Sequence, residues 1–222
     1  MIRDFFYFIC LLFTASAYLL FGSTLAYANK SNCGDVYDVA IGPWDYADPV
    51  NHQGNVAKVE RRHFTPNVER LISGESTSEI MPDLAYTLSK FPNHYRALYS
   101  LIRFDEQRNG SLPQVGSYKY PFTQSVTCYF ERAFQFRPDD AKLYQLYGIY
   151  FFKKEDYEQA MENFKKSKEL SPSPEADYNI GLVYFEMGDL ENAKFFAEKA
   201  YAADFPIAGL KNKLLDKGIE LK

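Results

Sequence analysis

The sequence predicts an all-α chain: helical hairpins stacked side by side, an irregular arm before them and a capping helix after them. Three observations carry that expectation. Tyr144, Tyr147, Gly148, Phe151, Ala160, Phe164 and Pro172 return one unit later as Ile180, Gly181, Tyr184, Ala193, Ala197, Ala200 and Pro206. The register is nearly constant, since Gly148 to Gly181 is 33 residues and Pro172 to Pro206 is 34. Each unit also carries a turn signal at its middle, Glu155-Asp156 in one and Gly188-Asp189 in the other. A period of this length holds two helices and a turn.

Each repeated position has a physical task. Gly148 and Gly181 fall mid-helix, where glycine costs roughly 1 kcal/mol against alanine, so a close approach by the partner helix is the expected compensation. Ala160 and Ala193 are the matching small residues on the second helices. Tyr147, Phe151, Phe164, Ile180 and Tyr184 supply the apolar body. Gly188 suits a helix end that needs positive φ, Asp189 can cap the next helix, and Pro172 and Pro206 end each unit. The clearest repeats therefore span 141–172 and 174–206, with helix pairs expected at 141–169 and 174–203.

The pattern extends upstream with a displacement. Phe130, Ala133 and Pro138 precede Phe164, Ser167 and Pro172 by 34 residues, so 122–136 reads as a second helix. Its partner would fall near residue 107, but Gln-Arg-Asn-Gly-Ser-Leu-Pro there is a turn. The first helix is expected instead at His94 to Asp105, with 107–121 inserted between the two. Residues 79–90 read as the second helix of an earlier, degenerate unit, so the array covers 79–222. The stretch 207–220, with Lys211, Lys213, Asp216 and Lys217, reads as a polar cap for the open end of the stack.

Residues 29–78 form the irregular arm. Ile41-Gly42-Pro43-Trp44-Asp45-Tyr46-Ala47-Asp48-Pro49 is rich in turn residues, with the aspartates expected to cap turns and the aromatics to be buried. Val56 to Phe64 reads as a short helix or strand. Thr65-Pro66 starts a helix, Thr as cap and Pro at its first position, running through Val68 and Leu71 to Gly74.

Ahead of the arm, residues 1–28 read as an export signal. Arg3 precedes a mostly apolar run from Phe5 to Phe21, and Ala26-Tyr27-Ala28 gives a small-x-small cleavage pattern. Cleavage after Ala28 would make the protein periplasmic or secreted; the alternative is an N-terminally membrane-anchored chain. Export leaves two of the three cysteines, Cys33 and Cys128, an even pair in an oxidising space, and a disulfide between them is expected. Two separately buried thiols are the alternative. The net charge of −4 disfavours nucleic acid and anionic membrane as main partners. Membrane contact is expected only if the N-terminal segment stays uncleaved.

The aromatic-x2-apolar-Gly-x2-aromatic, Ala-x3-Phe, Pro register resembles the tetratricopeptide repeat (TPR) family, which implies a TPR-type α-α hairpin superhelix. The Gly-Pro-Trp-Asp-Tyr run of 42–46 and Phe91-Pro92-Asn93-His94 are also similar to stretches in uncharacterised exported bacterial TPR proteins. The TPR resemblance implies a face, lined by the first helix of each pair, that holds a protein or peptide partner in a concave groove. Its lining positions here are Lys142, Gln145, Ile149, Phe152 and Lys153, then Glu175, Tyr178, Leu182, Phe185 and Glu186, with Arg96, Tyr99 and Arg103 upstream. The Lys and Asn set with which chaperone-binding TPR domains grip a C-terminal carboxylate is not matched. The opposing reading is that the arm fills this groove and its aromatics are core.

No hydrolase, zincin, dinucleotide or P-loop motif occurs, and neither a cofactor nor a metal is expected. His52, His63 and His94 are the only histidines. His63 lies one helical turn from Glu60, a pair that suits acid-base or metal chemistry but is more often structural, and His94 reads as a helix-start residue. The leading function is an exported, non-catalytic adaptor holding a protein or peptide in the cell envelope. The alternative is an accessory ligand-binding or enzymatic protein with a site in the arm around Trp44, Tyr46 and His63. A purely structural end-to-end oligomer is disfavoured by the charged terminal helix.

Overall fold

The computed structural model describes residues 33–113 and 125–222. The expected signal at 1–28 and residues 114–121 of the expected insertion lie outside them. Every regular element among the described residues is helical: α1 (Pro49–Asn51), a π-helical stretch (His52–Val56), α2 (Ala57–His63), α3 (Pro66–Glu69), α4 (Ile80–Lys90), α5 (Tyr95–Gln107), α6 (Val126–Phe136), α7 (Ala141–Lys153), α8 (Tyr157–Leu170), α9 (Pro174–Glu186), α10 (Leu190–Ala202) and α11 (Gly209–Asp216).

The two hairpins α7/α8 and α9/α10 fall where the repeat register places them. Asp140, Asp156, Ser173 and Asp189 cap α7 to α10, each side chain accepting from a backbone N–H in the first turn. The turns between paired helices use a left-handed residue at equivalent positions, Glu155 with φ 61° and Gly188 with φ 81°. Ala160 and Ala193 are fully buried. Gly148 lies beneath the Phe164 ring, so close that a Cβ there would meet ring carbons at 2.6 Å. Gly181 is equally tight, against Leu210 of α11 at 2.7 Å and Phe196 of α10 at 3.3 Å. Absence of a side chain is what lets these helices approach, which accounts for glycine at mid-helix.

Upstream, α4, α5 and α6 match the expected positions, and His94 starts α5 by accepting from the Ala97 N–H through its ring. The arm is part of the same core. Phe64 and Val68 are buried in one cluster with Leu84, Leu98, Leu101, Phe130 and Leu143. Asp48 caps α1, and Tyr46 is buried beside Phe91, both as read from the sequence. Cys33 and Cys128 are joined, Cα atoms 5.0 Å apart, tying the start of the arm to α6.

Two expectations need correction. The helix at Thr65 ends at Glu69 rather than Gly74, because Leu71 takes a left-handed φ of 62°. Thr65 does not cap it through its side chain; the hydroxyl instead donates to Glu75 at 2.6 Å. The terminal helix is shorter than 207–220 and is not polar throughout. Leu210 and Leu214 are fully buried, while Lys211, Lys213, Asp216 and Lys217 face outward. It closes the stack with one apolar face and one charged face.

Candidate functional site

Successive first helices, α5, α7, α9 and then α11, carry the residues expected to line a partner surface. On α7, Lys142 and Lys153 are about three helical turns apart and so share a face. Each meets a carboxylate on a neighbouring first helix: Lys142 Nζ is 3.3 Å from Glu175 on α9, and Lys153 Nζ is 2.7 Å from Glu106 on α5. Glu186 on α9 meets Lys213 on α11 at 3.0 Å. The charged edges anticipated from the sequence therefore neutralise one another from helix to helix. Between them lie Ile149, Phe152, Leu182 and Phe185, all partly exposed, with exposed Tyr99 and partly exposed Arg103 on α5.

Two expected lining residues do not reach this surface. Gln145 is buried and accepts from Lys142 Nζ at 2.8 Å. Tyr178 is buried against Phe205 and Tyr201, ring centroids 4.7 and 6.4 Å away, and its hydroxyl reaches Gly209 at the start of α11. The contact that buries Tyr178 comes from a segment some thirty residues later, which the repeat spacing does not encode. Among the described residues, the arm meets this face through α3. There Glu69 of α3 takes a bidentate pair from Arg96 at 2.8 and 2.5 Å, and its carbonyl accepts from Ser100.

The Glu60–His63 pair does not exist as a unit. Glu60 accepts from Arg96 Nη1 and from His94 Nε2, each at 3.1 Å. Because His94 Nδ1 accepts from Ala97, its proton sits on Nε2 and the neutral ring donates to Glu60. His63 Nδ1 instead meets buried Asp83 at 2.8 Å, and Ser76 Oγ lies 3.0 Å from the same nitrogen. Ser, His and Asp here do not form a relay, which needs the two carriers on opposite ring nitrogens. Asp83 also accepts from the Glu75 and Ser76 N–H groups and the Ser76 hydroxyl, so the cluster clamps the 75–76 turn onto α4. No group of three or more His, Cys, Asp or Glu suited to a metal occurs among the described residues.

These networks make stability depend on pH. Burial pushes the His94 imidazole below its ordinary 6.5, so the unfolded chain binds the proton first as pH falls. Hydrogen bonds from His94 and Arg96 hold Glu60 and Glu69, respectively, below 4.5. Their contributions are present above 4.5 and are lost as pH falls through the folded values. Stability is expected to decline once pH drops below about 6.5 and to steepen below about 4.5. His94→Asn keeps a capping acceptor and removes the titration. In urea unfolding across that range, it should flatten the upper part of the decline, lessen the share of the lower part that Glu60 owes to His94, and keep the share that Arg96 gives Glu69.

A second concavity lies in the arm. Ile41 and Trp44, the α2 residues Lys58, Val59, Arg61, Arg62 and His63, and Tyr86 and Lys90 of α4 surround a cleft of about 410 Å³. Trp44 N–H donates to the Lys90 carbonyl at 2.8 Å and Lys90 Nζ donates to the Ile41 carbonyl at 2.9 Å, which pins the 41–44 segment to the end of α4. The sequence singles out Trp44 and His63; that Lys58, Arg61 and Arg62 of α2 line the same cleft follows only from the fold.

Paired antiparallel helices of this length, stacked with a small residue at each crossing, define an α-helical repeat protein of the hairpin class. The tetratricopeptide repeat family matches residues 141–174 and 175–205, which cover α7/α8 and α9/α10. The chain thus carries two tetratricopeptide repeats, and such repeats serve as scaffolds for protein interaction. No curated protein matches the chain.

Proposed function

We propose that this protein is a non-catalytic adaptor that holds a protein or peptide partner along the face of its first helices, in the cell envelope after export. One observation carries the reading: on that face the charges pair among themselves and leave an apolar strip of Ile149, Phe152, Leu182 and Phe185, extended by Tyr99 and Arg103. An extended segment with alternate apolar side chains fits such a strip, its polar backbone meeting the flanking ion pairs. The partner is not nucleic acid, given a net charge of −4 and the lysines Lys142, Lys153 and Lys213 already paired with carboxylates along this face. Export is supported by the bonded pair Cys33–Cys128. No helix among the described residues is long and apolar enough to cross a membrane. The domain reading is a removed signal at 1–28, an arm at 29–78 and the array at 79–222.

Affinity capture from envelope extracts tests the reading. Phe152→Ala with Phe185→Ala should abolish recovery of the partner and leave the melting temperature within about 3 °C of the parent, since both side chains are only partly buried. Tyr178→Ala should instead destabilise by about 3 kcal/mol or more, as an emptied aromatic site does. Recovery unchanged in the double variant would sink the proposal.

A further inference from the structure

We propose that the arm cleft binds a small organic ligand carrying a dianionic oxyanion on a flat ring, with phosphate monoesters as the type. This goes beyond the adaptor reading and does not depend on it.

The cleft, about 410 Å³, is within the size range of small-molecule sites, roughly 300–1,000 Å³. Lys58, Arg61, Arg62 and Lys90 line it together with His63, and no carboxylate does. Among the described residues, Lys58, Arg61 and Arg62 make no ion pair, as is also true of Arg70, Arg103, Lys165, Lys211 and Lys217; what sets the three apart is that they converge on one cleft whose lining holds no carboxylate. Lys58 stands one helical turn from both Arg61 and Arg62, a spacing at which like charges repel. Complementing helix C-termini accounts for Arg61 and Arg62 in the last turn of α2 and for Lys90 in the last turn of α4. It does not account for Lys58 in the first turn, or for aromatic walls beside the cations.

Those walls are held in place. The Trp44 ring lies 5.5 Å from Phe91, His63 stacks on Tyr86 at 3.9 Å, and Lys90 Nζ sits 5.5 Å over Tyr86. Asp83 occupies His63 Nδ1, leaving Nε2 as the nitrogen a ligand would meet. The partly exposed indole of Trp44, with Val59, offers a flat apolar surface for a ring. Three cations without carboxylate partners call for more than one negative charge. A phosphate monoester carries two above its second pKa of about 6 and accepts charge-assisted bonds from guanidinium.

Trp44 is the only tryptophan in the chain, so its emission reports on this cleft alone. The mature, disulfide-bonded protein is titrated at constant ionic strength and about pH 7.5, where the ester is dianionic, with phenyl phosphate, benzoate and inorganic phosphate. Isothermal titration calorimetry on the same samples covers binding that leaves emission unchanged. Phenyl phosphate should saturate at a concentration at least ~10-fold below either of the others. Lys58→Ala with Arg62→Ala, both exposed, should raise that concentration by ~10-fold or more with the melting temperature unchanged. The proposal is overturned if neither method detects saturable binding, if benzoate binds as well as phenyl phosphate, or if the double variant titrates like the parent. None of these outcomes alters partner capture through Phe152 and Phe185, so the two readings fail separately.

Discussion

Leucine in place of Gly148 lowers the melting temperature by roughly 10 °C, the equivalent of about 3 kcal/mol in a chain of this size. The first atom added would meet the Phe164 ring at 2.6 Å, and Phe164 is itself buried, so neither helix can yield without opening the α7/α8 hairpin. Leucine at Gly54 is the control. That glycine also lies in a helical stretch, but nothing stands within 4 Å of a Cβ there. Thermal unfolding of the two variants should therefore separate a close approach from a loss of backbone freedom. Equal melting temperatures would contradict the account of why glycine recurs in this register.

Removing the Cys33–Cys128 bond is expected to have the other large effect. The bond closes a loop over a sequence separation of 95, and on the chain-entropy model its loss costs up to about 4–5 kcal/mol. Structure is lost on the folded side as well, because Val36 beside it is fully buried and its N–H reaches Gln135 of α6. Urea unfolding of Cys33→Ser/Cys128→Ser against the oxidised parent gives the magnitude. Mass spectrometry of unreduced peptides gives the linkage itself. Unchanged midpoints would mean that packing of Phe64 and Val68 alone holds the arm in place.

The hairpins were legible because a repeat states the same packing problem twice. Gly148 and Gly181, Ala160 and Ala193, and Asp156 and Asp189 each solve it at equivalent points, and their agreement in register leaves little choice of fold. Where a residue answers to a distant partner, spacing misleads. Glu60 and His63 look like a pair one turn apart, but one is taken by His94 and Arg96 and the other by Asp83. Tyr178 occupies a lining position of its repeat and is buried because α11 folds back on it. Leu71 ends α3 by a left-handed turn that no glycine or proline announces. The arm cleft depends on Trp44 and Ile41 being pinned to Lys90, a contact across the chain with no local signature. Its basic wall on α2 reads in isolation as an ordinary solvated face.

The central claim is that partners lie along the first helices. A photo-crosslinking residue placed at Phe152 of α7, and in a second protein at exposed Phe195 of the second helix α10, tests it most directly. Both proteins are irradiated in envelope extract and their adducts compared by mass spectrometry. The account predicts a partner adduct from position 152, competed away by unlabelled parent protein, and none from position 195. An adduct from 195 with none from 152 would contradict it and place the interaction on the opposite helices of the array.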